Sequence, residues 1–152
     1  PTPPEYVDGY AHMKARMVTD APAAGLEVDE EVWDAERVRR YEQTYLDGGK
    51  ELRVVAAQHI GTGELVAFSE LSIGRDHTAA SHQNDTLVLS EHRGHQLGAL
   101  VKCENLVAWR QFAPRSPRVI TYNAEENRPM LDINEALGFL PIAYEGAWKK
   151  TL

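Results

Sequence analysis

The stretch Thr86-Leu-Val-Leu-Ser-Glu-His-Arg-Gly-His-Gln-Leu-Gly98 constrains the fold more than any other part of the chain. A short apolar run ends at Ser90, a polar turn carries Arg93 and Gly94, and a helical period then begins. A strand that passes straight into a helix needs a sheet to pair with and a helix to cover it, so the chain reads as α/β. The turn also carries chemistry. The first amides of a helix have no intrahelical partner, and the helix dipole adds positive character, which suits a phosphate. Arg93 offers a bidentate cation, Gly94 lets a ligand approach the backbone, and Gly98 permits close packing one turn on. The Walker spacing is absent, and two placed glycines are too few for a dinucleotide fingerprint.

Hydrophobic period divides the rest. Residues 5–18 read as a helix with Tyr6, Tyr10, Met13 and Met17 on one stripe, and residues 19–28 as a loop. Residues 29–46 read as a second helix, capped by Asp29, with Val32, Ala35, Val38, Tyr41 and Tyr45 inward and Gly48-Gly49 as its stop. Strands at 52–59 and 64–73 flank Gly61-Thr62-Gly63 as a hairpin. A polar loop at 74–84 leads to a short strand at 85–89. The helix at 94–112 is expected to turn Leu97, Leu100, Val101, Val107 and Ala108 inward, with Cys103 as a small core residue. A strand at 119–123 follows the Pro114 and Pro117 break. Asn127 then caps a helix with Pro129 in its first turn, Gly138 closes it, and a last strand is expected at 142–149. Strands joined through helices predict a mixed central sheet with flanking helices and some parallel pairing. At 152 residues, one domain spanning 1–152 is expected.

A formal net charge of −7 argues against a general nucleic-acid binder. No apolar run approaches the roughly 20 residues of a membrane helix. The start, Pro1-Thr-Pro-Pro4, lacks the pattern of a signal peptide, and the single Cys103 precludes an intramolecular disulfide. A cytoplasmic protein is the expectation. The histidines are scattered without ligand spacing, so no metal is expected.

The turn from Arg93 to Gly98 resembles the acyl-CoA pyrophosphate loop of the GNAT N-acetyltransferase superfamily, Gln/Arg-x-x-Gly-x-Gly/Ala. Arg93 matches its first position and Gly98 its last, with Gln96 at the central glycine. A second block, Asn123-Ala-Glu-Glu-Asn127 through Asn134-Glu-Ala-Leu-Gly138-Phe139, is similar to the family's Asn-x-x-Ala…Gly-Phe block. The resemblance covers nearly the whole chain. It looks most like the C-terminal domain of actinobacterial proteins that carry two such domains in tandem.

The resemblance implies the GNAT fold and direct transfer from acetyl-CoA to a primary amine of a small molecule. It implies that Leu87, Val88 and Leu89 lend strand backbone to the pantetheine arm, with the N–H near Val88 stabilising the oxyanion. Arg93, Gly94, His95, Gln96, Leu97, Gly98 and Ala99 would hold the pyrophosphate. Asn123 and Asn127 would face the cofactor from the other side. By position, the base that deprotonates the acceptor falls to Glu70, His82 or Asp85. The family's usual acid is a tyrosine four residues before the Gly-Phe pair. Asn134 stands there, able to hydrogen-bond sulfur without protonating it, and Tyr122 is a substitute donor. The family also usually has a strand before its first helix and two after its last. The expectation is therefore a sheet lacking edge strands, completed by a second GNAT domain in cis or in a homodimer. The alternative is a CoA-binding but catalytically weak half-domain that supports a partner domain.

Overall fold

The computed structural model describes residues 1–20 and 32–146. Helices α1 (Pro4–Asp20) and α2 (Ala35–Asp47) precede strands β1 (Lys50–Gln58), β2 (Leu65–Gly74) and β3 (Ser81–Val88). Helix α3 (Leu97–Phe112), strand β4 (Val119–Ile120) and helix α4 (Arg128–Ala136) follow. The strands lie in chain order in one mixed sheet, antiparallel from β1 to β3 and parallel between β3 and β4.

Alternation along β2 divides the core in two. Phe68 packs edge-on against Tyr10 of α1, with ring centres 5.6 Å apart, in a cluster with Met13, Val38 and Leu87. Leu71 and Ile73 pack on the other face against Trp109 and Ala113 of α3. Each such side chain contributes about 1.5–3 kcal/mol by leaving water. Helices α1 and α2 thus cover one face of the sheet and α3 the other, and β2 is buried at nine of its ten positions.

Several boundaries differ from expectation. Helix α2 is capped by Asp34, whose side chain accepts from Arg37 N at 2.7 Å, and Val32 is exposed ahead of it. The expected cap, Asp29, lies outside the described residues, as does most of the loop at 19–28. Strand β3 begins at Ser81, inside the expected polar loop. Its polar residues find partners on α3 and on β2: Trp109 Nε1 donates to Ser81 Oγ at 2.7 Å, and Gln83 Nε2 to Ser69 Oγ at 3.0 Å. Strand β4 has two residues rather than five, and residues 142–146 lie in no strand. Residues 147–149 of that expected strand are outside the described residues.

The largest correction concerns α3. Its buried residues are Gly98, Val101, Lys102, Asn105 and Trp109, while Leu100, Val107 and Cys103 are exposed. Phase is set by the Trp109 bond, by the close approach at Gly98 and by Asn105, whose Nδ2 donates to Ser69 O at 2.8 Å. Polar anchors outweigh the apolar periodicity there.

Candidate active site

Strands β3 and β4 pair at only two positions, Ser81 with Val119 and His82 with Ile120. Thr121 Oγ1 still donates to Gln83 O at 3.4 Å, and beyond it the two segments part. The second segment turns away to start α4, where Met130 N donates to the side chain of the cap Asn127. The opening is a cavity of about 540 Å³ between β3, α4 and the first turns of α3. The β4-facing edge of β3 beyond His82 has no strand partner among the described residues.

The mouth of this cavity is the turn after β3. Ser90–His92 form one 3-10 turn, and Gly94 and Gln96 take left-handed conformations with φ of 84° and 57°. A Cβ at Gly94 would meet nothing within 4 Å, so backbone conformation alone favours glycine there. The first helical bond runs from Leu100 N to Gln96 O, leaving the amides of Leu97, Gly98 and Ala99 without intrahelical partners. Arg93 donates to two carbonyls, Val88 O at 3.3 Å and Asp20 O at 2.9 Å, which hold its guanidinium across the mouth. Arg16 pairs within α1 with Asp20 at 2.7 Å and ties the helix to the same turn through Glu91 at 3.0 Å, and its hydrogen bonds hold the Glu91 carboxyl down at about 2.

A bulge lies on the wall of the cavity. Between the Ser69–Thr86 and Leu71–Gln83 pairs, β2 contributes Glu70 alone and β3 contributes both Asn84 and Asp85. Side-chain amides bond the backbone where the ladder is interrupted: Gln83 Nε2 donates to Glu70 O at 2.7 Å, beside the Asn105 bond to Ser69 O. Asn84 and Asp85 both reach toward α1 and α2. Asn84 Nδ2 donates to Tyr45 Oη at 3.2 Å, and Asp85 pairs with Lys14.

Lys14 also lies 3.2 Å from Glu70 Oε1 and 4.4 Å from the centre of the Tyr41 ring. Glu70 is fully buried; Tyr10 Oη donates to its Oε1 and Tyr41 Oη to its Oε2 at 2.8 Å. Burial pushes the Glu70 carboxyl up, with Lys14 pulling the other way. Burial opposes the charge on Lys14, but Glu70 and Asp85 together hold it above the ordinary lysine range. The phenols of Tyr10 and Tyr41 are pushed up, first by burial and then by Glu70.

Lys102 lies one turn past Gly98 on α3 and lines the cavity, buried to 1% exposure. It makes no hydrogen bond or ion pair among the described residues. Its Nζ sits 5.5 Å from the centre of the Phe139 ring, and burial pushes its ammonium down to about 8. Phe139 N donates to Asn134 O at 3.0 Å. The Asn134 side chain is buried, and neither its nitrogen nor its oxygen has a partner among the described residues.

Of the residues marked in the sequence, the structure brings Asp85, Leu87 and Val88 to the strand wall of this cavity. It brings Arg93, Gly94, Gln96, Leu97 and Gly98 to the turn, and Tyr122, Asn123 and Asn127 to the far wall. Leu89 is buried in the core beside α1, and His95 and Ala99 stand outside the lining. Asn134, next to Ile133 in α4, also stands outside the lining. Glu70 is closed in beneath α1 and α2, and His82 is exposed at the paired end of β3. Sequence reasoning missed Lys14, Asn84 and Lys102. Lys14 falls four residues after Tyr10 on the buried stripe of α1, which was its one available signal.

A second recess of about 770 Å³ lies between residues 1–3, α2 and β1. Its carboxylate, Glu42, is already bonded to Thr2 N at 2.6 Å and Arg39 at 3.0 Å, which leaves little chemistry open. No three His, Cys, Asp or Glu side chains converge as a metal site among the described residues. No helix among them is long and apolar enough to cross a membrane.

No protein-family model matches the chain, and no curated protein does. Solved structures do. A tandem GNAT protein from the clavulanic acid biosynthesis pathway superposes with a TM-score of 0.74 at 33% identity, covering 93% of this chain and 40% of that one. Glucosamine-6-phosphate N-acetyltransferase from Arabidopsis thaliana gives a TM-score of 0.67 at 18% identity, covering 95% of this chain and 91% of that one. AAC(6')-Iy, in complex with the bisubstrate analogue CoA-S-monomethyl-acetylneamine, gives 0.66 at 14% identity, covering 98% and 94%. The fold is that of the GNAT N-acetyltransferases. Within that class, the sequence likeness is to part of a tandem GNAT protein, of whose length the chain spans 40%.

Proposed function

We propose that residues 1–152 form a single GNAT domain that transfers acetyl from acetyl-CoA to a primary amine of a small molecule by direct attack. The observation that carries this reading is the cleft where β3 parts from β4 after two paired residues, with Arg93 across its mouth. The residues present fit a nucleotide thioester. An anion meets the Arg93 guanidinium and the amides of Leu97, Gly98 and Ala99, in a turn shaped by Gly94, His95 and Gln96. An extended arm meets the edge of β3 at Leu87 and Val88, which lacks a strand partner, while Leu89 N is already bonded to Val66 O. Asn123 and Asn127 close the far wall. The bound cofactor supplies an activated acyl group.

The chain's own residues would do the rest. The acceptor amine arrives mostly protonated, since an unperturbed alkylamine titrates near 10. Asp85, a partly exposed carboxylate on the cavity wall, takes that proton. Lys14, itself paired with Glu70, holds Asp85 in place. The Val88 N–H stabilises charge on the acyl oxygen. Glu70 and His82, the other two candidates for base, stand away from the cavity. Tyr122 lines the far wall, while Asn134 stands outside the lining. The reading carries a cytoplasmic setting with it, in line with the free Cys103.

A second reading rests on the tandem relative, which is more than twice as long as the matched part. The chain would then be one half of a tandem protein, the C-terminal one, or work as a homodimer, and bind CoA in support of a partner domain.

Calorimetric titration with acetyl-CoA and CoA, beside an Arg93→Ala variant, tests the first reading. Binding that weakens about tenfold or more in the variant is expected. An amine screen by thiol release follows, with Asp85→Asn expected to lose about a hundredfold or more in rate. Absence of cofactor binding would overturn both readings. Binding without turnover of any amine would favour the half-domain.

A further inference from the structure

We infer that Lys102 meets the sulfur of the bound thioester and gives the departing thiolate its proton; this rests on the cofactor reading of the cleft. Position along α3 supports it first. Gly98 sits against Val88, where an added Cβ would lie 3.4 Å from Val88 Cγ2, at the phosphate end of the cleft. Asn105 reaches Ser69 O at the level of the bulge, and Asp85 belongs to that bulge. The helix climbs about 10 Å between Gly98 and Asn105. Lys102 is the cavity-lining residue between them, along the path from pyrophosphate to acyl end.

Charge supports it next. A buried ammonium without a counter-charge is costly unless a ligand completes it. The acidic groups on the surrounding elements are engaged elsewhere. Asp85 of β3 is paired with Lys14, Glu70 of β2 lies on the opposite face of the sheet, and Asp132 and Glu135 of α4 are paired with Arg128. Arg53 of β1 stacks on the Phe112 ring, and Arg93 is held at the mouth. Lys102 Nζ lies over the Phe139 ring, and the backbone of Phe139 is bonded to that of Asn134, whose side chain is buried without a partner among the described residues. A sulfur that gains negative charge as its bond breaks supplies the counter-charge that Lys102 lacks. The depressed ammonium, at about 8, is matched to a thiol that ordinarily titrates near 8.5. Tyr122 is 68% exposed, so its phenol is shared with water.

The step balances within the proposed reaction. The acceptor nitrogen forms its bond to the acyl carbon and the C–S bond breaks. Asp85, having passed the ammonium's first proton to solvent, takes the second proton leaving the nitrogen and releases it in turn, while Lys102 Nζ gives a proton to the sulfur and regains one from solvent.

Calorimetry with CoA and desulfo-CoA at pH 8 tests this without an acceptor. The unaltered chain is expected to bind CoA about ten- to a hundredfold tighter than desulfo-CoA, the range of a charge-assisted contact. In Lys102→Met the gap should fall to about threefold or less, with desulfo-CoA affinity unchanged. Removing a buried charge favours folding of that variant, and the unaltered chain alone already gives a decisive comparison. Tyr122→Phe should keep the gap. Equal affinities in the unaltered chain, or a gap that survives Lys102→Met or vanishes in Tyr122→Phe, would overturn the inference and leave the cofactor reading standing. Failure of both ligands to bind would overturn the two together.

Discussion

Lys14 of α1 and Asp85 of β3 form an ion pair across 71 residues of sequence, with Lys14 buried and the Asp85 side chain 37% exposed to the cavity. The same ammonium contacts Glu70, so one cation links a closed carboxylate to an open one. The bulge makes this possible. A regular strand would alternate Asn84 and Asp85 between faces, whereas here both stand opposite Glu70.

Lys14→Met should leave Glu70 buried with two phenols and no cation, at a cost of about 3–5 kcal/mol near neutral pH. Because the fold raises the Lys14 pKa, the stability it brings is complete below the ordinary lysine range. It is lost only as pH rises through the folded value. In the variant, the Glu70 carboxyl, already pushed up by burial, loses the opposing pull of Lys14. Protonation then relieves the variant in acid. Urea midpoints should therefore differ more between the two proteins at pH 8 than at pH 5. The same gap at both values would argue that Glu70 is neutral in the native protein.

Tyr41→Phe removes the 2.8 Å bond to Glu70 Oε2 and leaves a buried carboxylate oxygen unsatisfied. A loss of about 1–3 kcal/mol is expected. In Glu70→Gln the same substitution should cost clearly less, which a double-mutant cycle by urea unfolding would measure. Strict additivity would contradict the contact.

Substitutions at Gly98 should split by size. An added Cβ lies 3.1 Å from Ile133 Cδ1, the far end of a side chain that has room to shift. Gly98→Ala also gains up to about 1 kcal/mol of helix propensity, so its thermal midpoint should change little. Gly98→Val crowds Val88 as well, and should lose about 1–3 kcal/mol and weaken CoA binding. Equal melting curves for the two variants would show that α3 is not packed this closely.

Asn134→Leu should raise stability while lowering CoA affinity. Both polar atoms of Asn134 are buried without partners among the described residues, so an apolar side chain of similar volume removes about 1–3 kcal/mol of desolvation cost. A variant that is both less stable and unaltered in binding would place Asn134 in a structural bond instead.

Some of this was legible in residue order. The hairpin around Gly61 and Gly63, the cap at Asn127 and the close of α4 at Gly138 are local signals, and the elements stand there. The turn from Arg93 to Gly98 was legible because the left-handed backbone at Gly94 is a property of a few consecutive residues. The start of β3 was not. Ser81, Gln83 and Asn84 read as loop until Trp109, Ser69 and Tyr45 supply their hydrogen bonds.

The sequence by itself determined the order of helices and strands as far as α4 and the turn from Arg93 to Gly98, because capping, breakers and short periodicities act within a few residues. Only the tertiary structure decided the phase of α3, the side of the sheet that Asp85 faces, and the burial of Lys14, Glu70 and Lys102. Those depend on a one-residue bulge and on polar groups meeting partners dozens of residues away, and a buried lysine is spelled the same as an exposed one until the cavity around it exists.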